Sequence, residues 1–386
     1  MTVANISSSS GSNVNLSVTN TFTVRDFVPI EIFQRIASCF DHPRDVVHLA
    51  QADKYFLKHI LPYAPIWTPF LHKHFPDSCS QLKSEAESFT LYKKMTNVAR
   101  NIESGKYRLQ TITEGPPLNE VVICDGKLIS CSNSCIIKIR DLETGKKLRE
   151  LIGHKHNDAV SALAVCNRKL ISGSARGPIK IWDLETGKEL QTLIGYRGSI
   201  HGITVYEDKI FFASYDATIK IWDFETGREL QPLVGHEESV CAVKIYDGKI
   251  ISGSFDLTIK IWDLETGKTL RTLVVPDESV CTFTVCNGKI ISGLGNGLIK
   301  IWDFETGEVI QKLVGHYNKI MTIMVYDGKI FSGAWDGMIK IWDFETGKAL
   351  QTLVGHLSGV STIAVCKGKI ISGSNDGTIK IWDFGV

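Results

Sequence analysis

Six tryptophans, Trp182, Trp222, Trp262, Trp302, Trp342 and Trp382, follow one another at intervals of 40 residues, each inside an Ile-Lys-Ile-Trp-Asp string. A fixed period of this length marks a chain built from copies of one supersecondary unit that cannot bury its own apolar surface alone. A seventh, degenerate copy reads IKIRD and ends at Asp141. Within a unit such as SVCAVKIYDGKIISGSFDLTIKIWDLETGKTLRTL, short β-branched runs alternate with the turn signals DGK, FDL and ETGK, which predicts four strands per unit. In TIKIW the two isoleucines share one face, and lysine and tryptophan share the other. Both faces are therefore expected to pack on neighbouring sheets, with the lysine stem snorkelling outward.

Four-stranded sheets with two apolar faces bury them by stacking radially. A period near 40, with Gly-His early and Trp-Asp late, resembles the WD-repeat family over roughly the last 280 residues. The strings ending in Asp141, Asp183, Asp223, Asp263, Asp303, Asp343 and Asp383 number seven, which predicts seven blades. The sequence stops at Val386, directly after the third strand of the last unit. The segment GKYRLQTITEG from Gly105 aligns with GKALQTLVGH near Gly347, so residues 105–115 are expected to supply the closing outer strand of a propeller spanning 105–386.

The resemblance further implies a buried network from the Gly-His histidine through a serine and a turn aspartate to the tryptophan. It is complete as His236, Ser252, Asp256 and Trp262, as His316, Ser332, Asp336 and Trp342, and as His356, Ser372, Asp376 and Trp382. These sets mimic Ser-His-Asp triads, but a set repeated around a ring reads as structure: each satisfied buried bond contributes about 1 kcal/mol. The network is broken where Tyr196 and Phe212 replace histidine and serine, where Arg176 replaces aspartate, and at Pro276 and Asn296.

Residues 22–75 change character, with an apolar stripe of Ile32, Phe33, Ile36, Ala37 and Phe40 after Pro29 and a second of Val46, Val47, Leu49 and Ala50 after Pro43. Two short amphipathic helices expose more apolar surface than they can bury alone. The stretch resembles an F-box: Val28-Pro29-Ile30-Glu31 fills the Leu-Pro-x-Glu start, with valine for leucine, Asp41 to Asp45 the charged turn, and Trp67 the later tryptophan. Residues 76–104, with the stripe Leu91, Tyr92, Met95, Val98, Ala99 and Ile102, resemble the helical linker of F-box/WD-repeat proteins. The expected fold is thus mainly β, a seven-bladed WD-repeat propeller preceded by a small all-α F-box-like domain and a helical linker. The alternative is that the front helices merely cap the propeller.

By that resemblance the chain is a substrate-recognition adaptor of a cullin-type (SCF) ubiquitin ligase and does no chemistry itself. Pro29, Glu31, Ile32, Ile36 and Leu49 would bind the Skp-type linker subunit. The propeller would hold a protein substrate near the conjugating enzyme, raising its effective concentration. Substrate is expected on the face formed by the loops preceding the first strand and joining the second to the third. Family members grip phosphopeptides there with arginines just before the turn aspartate or early in the first strand. Here those two rings carry Ala175, Tyr215, Phe255, Gly295, Trp335 and Asn375, and Ser161, His201, Cys241, Cys281, Met321 and Ser361, with no arginine. Tyr215, Phe255, Trp335 and Met321, with His201, Asn375, Arg176 and Arg197 nearby, therefore predict an aromatic-anchored ligand, an acidic group being optional. The competing reading is that these aromatics only fill contacts between blades.

Charge does not choose a partner: 43 basic residues balance 42 acidic ones, which gives no sign of nucleic acid or an anionic membrane. The ten cysteines show no CxxC pair. Cys166, Cys286 and Cys366 exchange with Tyr206, Tyr246 and Tyr326 at one repeat position, which is packing and not metal ligation. His42, His48, His59, His72 and His74 present no helix face with a carboxylate, so neither metal nor cofactor is expected. The polar tail 1–21 lacks an apolar signal core, and with reduced thiols this points to the cytoplasm, the nucleus or a host-cell cytosol. The chief rivals are a WD-repeat scaffold unconnected with ubiquitin and a bacterial effector that mimics a host F-box protein.

Overall fold

The computed structural model describes residues 98, 101–102, 104–154, 158–175, 178–193, 198–276 and 278–385. The F-box-like assignments at Pro29, Glu31, Ile32, Ile36 and Leu49 lie outside these residues, as do Arg176 and Arg197.

Each β-branched run of the repeats becomes a strand and each turn signal a reversal, so that the described residues form seven antiparallel four-stranded sheets. The first strand, β1 (Arg108–Thr113), precedes blade 1, which is β2 (Leu118–Cys124), β3 (Lys127–Ser132), β4 (Ile136–Asp141) and β5 (Lys147–Ile152). Blade 2 is β6 (Val160–Cys166), β7 (Lys169–Ser174), β8 (Ile179–Asp183) and β9 (Glu189–Leu193). Blade 3 is β10 (Ile200–Tyr206), β11 (Lys209–Ser214), β12 (Thr218–Asp223) and β13 (Leu233–Val234), and blade 4 is β14 (Val240–Tyr246), β15 (Lys249–Ser254), β16 (Thr258–Asp263) and β17 (Thr269–Val274). Blade 5 is β18 (Val280–Cys286), β19 (Lys289–Leu294), β20 (Ile299–Asp303) and β21 (Val309–Leu313), and blade 6 is β22 (Ile320–Tyr326), β23 (Lys329–Ala334), β24 (Met338–Asp343) and β25 (Ala349–Val354). Blade 7 contributes only β26 (Val360–Cys366), β27 (Lys369–Ser374) and β28 (Thr378–Asp383), and β1 pairs with β28 as its outer strand.

The two faces of the Ile-Lys-Ile-Trp strand serve different neighbours. In blade 4, Ile259 and Ile261 pack with Val280, Phe283 and Trp302 of blade 5, while Trp262 packs back on Phe211 and Ile219 of blade 3. The same interlock joins Ile379 and Ile381 of blade 7 to Leu118, Val121 and Leu128 of blade 1, so the ring is sealed by an apolar interface as well as by a strand. All these side chains are buried, each worth on the order of 1.5–3 kcal/mol relative to exposure.

The lysines between the isoleucines reach across to the outer strand. Lys260 Nζ donates to Thr272 Oγ1 at 3.1 Å, Lys340 to Thr352 at 2.9 Å, and Lys380 to Thr111 at 3.1 Å. The closing strand β1 thus takes the register of the covalently continuous outer strands. Two of these lysines do not snorkel outward: Lys180 and Lys300 are buried, and Lys180 Nζ is held by Glu189 at 2.7 Å and Thr192 at 3.0 Å. Blade 3 departs at its outer edge, where Pro232 replaces the threonine and removes a backbone donor, leaving β13 two residues long.

Blade 1 departs at its centre. Arg140 stands where other blades carry tryptophan, and its Nε donates to Glu114 Oε1 at 2.7 Å; Lys138 Nζ lies 2.5 Å from the other carboxylate oxygen. The Glu114 side chain is 2 % exposed, so a buried ion cluster at the ring's seam replaces the histidine–tryptophan core.

Candidate protein-binding face

The repeated network fixes the loops on one face. His236 Nε2 lies 2.7 Å from Ser252 Oγ and its Nδ1 lies 2.7 Å from Asp256 Oδ2, while Trp262 Nε1 donates to the same serine at 2.8 Å. His316, Ser332, Asp336 and Trp342 repeat this geometry, as do His356, Ser372, Asp376 and Trp382. The aspartates also accept from the backbone N–H groups of Glu237, Tyr317 and Leu357, tying each loop that enters a first strand to the turn between second and third strands. Burial pushes His236 and His356 below the ordinary histidine value, partly offset by their aspartates.

The broken copies show what each member does. Blade 2 keeps His154 to Ser172 and Trp182 to Ser172, both at 2.8 Å, but Nδ1 of His154 is buried without a partner among the described residues. Burial takes that imidazole down to about 4. In blade 3, Phe212 in place of serine leaves Trp222 Nε1 without a partner among the described residues, and in blade 5 Trp302 still donates to Ser292 at 2.8 Å. These residues brace loops and offer no substrate an open nucleophile.

Inside the ring, every first strand carries a β-bulge at its second residue, as between Ile200 and Gly202 or Val240 and Ala242. A bulge drops one residue out of the ladder and re-aims its side chain. The residues so released are Asn119, Ser161, His201, Cys241, Cys281, Met321 and Ser361, and all of them line a central channel of about 570 Å³. Some are occupied structurally: Ser161, Cys241 and Ser361 donate to the carbonyls of Gly173, Gly253 and Gly373 at 3.3, 3.1 and 3.1 Å. Burial pushes the Cys241 and Cys281 thiols above their ordinary value, so neither is an activated nucleophile. Deeper in, Glu120 accepts from Leu163 N–H, and loss of solvent raises its carboxyl to about 7, while Lys244 acts on it in the opposite sense.

Tyr215, Phe255, Trp335 and Asn375 stand outside that lining, on the loops between second and third strands. Each loop is pinned through its backbone N–H to the segment entering the same blade's first strand: Tyr215 to Ser199 O, Phe255 to Ser239 O, Trp335 to Lys319 O and Asn375 to Gly359 O, at 2.8–3.1 Å. Tyr215, Phe255 and Trp335 keep 66 %, 36 % and 50 % of their surface open. His201 joins two of them, its ring centroid lying 6.2 Å from Tyr215 and 6.5 Å from Phe255. Trp335 sits apart, its indole against Gly359, where any side chain would meet the ring at 3.2 Å. Beside it the loops of blades 6 and 7 expose Tyr317 at 83 % and Leu357 at 93 %. Exposed aromatic area on rigid loops is what protein-binding surfaces use as anchors. Among the described residues no group of three or more His, Cys, Asp or Glu side chains converges on one point.

Two further residues shape this face. Lys319, directly before β22, places its Nζ 5.2 Å from the Phe255 centroid, and Glu278 turns its carboxylate into the space beside Gly295, which a larger residue would fill. Neither lies in the two rings that the family resemblance singles out.

Seven four-stranded blades with this bracing network define a seven-bladed β-propeller that contains WD40 repeats, an architecture that suggests a scaffold for protein–protein contacts. The family described as WD domain, G-beta repeat matches residues 187–223 and 227–263, and the one described as IP5P C-F beta-propeller matches residues 277–382. Each WD match runs from the outer strand of one blade to the third strand of the next, so the sequence repeat straddles two blades. No curated protein matches the chain. Among solved structures it is similar to the computationally designed Ika8 protein, at 28 % identity over 70 % of this chain and 97 % of that one, with a TM-score of 0.59. It is also similar in fold to the WD40 beta propeller domain of Doa1, at 24 % identity over 72 % of this chain and 97 % of that one, with a TM-score of 0.65.

Proposed function

We propose that the chain is a substrate receptor of a cullin-type (SCF) ubiquitin ligase: residues 22–75 bind a Skp-type linker subunit, and the propeller holds a protein substrate on the face that carries Tyr215, Phe255 and Trp335. The observation that carries the substrate half is the set of exposed aromatics on loops pinned by backbone hydrogen bonds. A preorganised surface loses little entropy on binding. The ligase half rests on the F-box resemblance around Pro29 and Glu31. The chain then contributes proximity, not chemistry, and works in the cytoplasm, the nucleus or a host-cell cytosol.

The test is capture of purified Skp-type linker by the full chain and by a Pro29→Asp, Ile32→Lys double variant, with melting curves to show that both propellers fold. Capture by the wild type alone supports the ligase reading. No capture by folded wild type overturns it and leaves a WD-repeat scaffold.

A further inference from the structure

Among the described residues of this face, Lys319 carries a charged group that rests on an aromatic ring and not on a polar partner. It enters from the loop before blade 6 and reaches past blade 5 to Phe255 of blade 4. The reach is possible because blade 5 carries Gly295 where blades 3, 4 and 6 carry Tyr215, Phe255 and Trp335. The Nζ rests on the Phe255 ring, and among the described residues it has no hydrogen bond or ion pair. Lysines on other turns are paired, Lys289 with Glu345 at 3.1 Å and Lys249 with Asp247 at 3.2 Å. Glu278, the carboxylate of the same neighbourhood, is folded over Gly295 instead. The Lys319 charge is felt across the mouth, adding to the effect of burial in lowering His201 and opposing it at Cys281.

A half-buried cation on an aromatic ring at the lip of a channel is a complement for one anionic group. Phosphate is matched best by guanidinium forks that donate two parallel bonds. Neither ring of the mouth holds an arginine, and a single ammonium is a point charge suited to a carboxylate. The flanking surface is aromatic: Phe255 lies under the ammonium, and His201 has its ring 6.5 Å from Phe255 and 6.2 Å from Tyr215.

We infer that the mouth binds a peptide segment with an unmodified Asp or Glu next to a large apolar residue, the carboxylate on Lys319 and the apolar side chain on Phe255 and Tyr215. This rests on the reading of the aromatic face as the substrate surface and specifies what that surface selects. The ammonium keeps its contact with Phe255 on one side and meets the ligand carboxylate on the other, so no internal ion pair has to break.

The test is selection of a random 12-residue peptide library on the purified full chain, followed by affinities of the enriched peptides for wild type, Lys319→Met, Lys319→Arg and Phe255→Ala. Phosphoserine versions of the same peptides are measured alongside. The expected result is an acidic residue adjacent to an apolar one in the enriched set, at least a tenfold loss with Lys319→Met, retention with Lys319→Arg, and binding that weakens with salt in the wild type more than in Lys319→Met. Enriched peptides without an acid, binding indifferent to Lys319→Met, or binding by phosphopeptides alone overturns the inference; loss with Phe255→Ala in those cases still leaves the aromatic face standing. No enrichment on folded protein overturns both.

Discussion

The side-chain amide of Asn101 donates to the carbonyl oxygen of Phe384 at 2.7 Å, joining residues 283 apart in the chain. The bond lies where the incoming helical turn meets the end of β28. Val98 and Ile102 of that turn pack with Trp382 and Phe384, and Tyr107 lies edge-on to Trp382 at 5.3 Å. The split third-to-fourth-strand turn of blade 7 is thereby held by side chains in place of a peptide bond. Asn101→Ala should cost about 1–3 kcal/mol, because a buried carbonyl loses its donor. Deleting residues 105–115 should lower the melting temperature far more than deleting the first twenty residues; equal melting of the two truncations would sink the closure model.

Ser252 accepts from Trp262 while pairing with His236, and it is fully buried. Ser252→Ala strands both partners and is expected to destabilise by about 1–3 kcal/mol for each group left unsatisfied. Denaturant unfolding with an unchanged m-value checks this. Blade 2 offers the opposite experiment: among the described residues His154 Nδ1 has no hydrogen-bond partner, and Arg176→Asp, which restores the residue that the complete repeats carry at that position, should raise the melting temperature.

Acid should unfold the propeller in a definite window. His154 is held at about 4 by burial against an ordinary value of 6.5, and His236 and His356 are also lowered, burial outweighing their aspartates. Below 6.5 the unfolded chain takes up protons that the folded chain refuses, so stability is full above pH 6.5 and falls as the pH drops towards 4. Burial works against ionisation of Asp376, but bonds from Thr378, Leu357 N–H and His356 outweigh it and hold the carboxyl at about 2, which adds a further loss below 3.8. Melting temperature against pH should show the first slope, and His154→Gln should flatten it.

The seam between blades 7 and 1 depends on Glu114, whose carboxylate serves both Lys138 and Arg140. Glu114→Ala leaves two cations in a poorly hydrated site and should cost about 3 kcal/mol or more. Double-mutant cycles with Arg140→Met should recover part of that loss, because the second substitution removes the stranded charge.

The spacing of tryptophans and the Gly-containing turns state the blade count and the fold class, because these are local rules copied every 40 residues. The division of Ile and Trp between two neighbours follows from strand alternation alone. The candidate face was legible only in part. Tyr215, Phe255 and Trp335 could be located by repeat alignment, yet alignment could not say that they stand outside the channel, since that depends on seven bulges which turn the adjacent strand residues inward.

The repeated unit is therefore written in the amino-acid order alone: its strands, its two apolar faces and the network that braces its loops. Only the closed ring decided that Lys319 lies over Phe255, that Glu114 meets Arg140, and that Asn101 reaches Phe384. Those contacts join different blades or opposite ends of the chain. Their distances are set by blade stacking and ring closure, which depend on the packing of all the interfaces at once and are written in no single repeat.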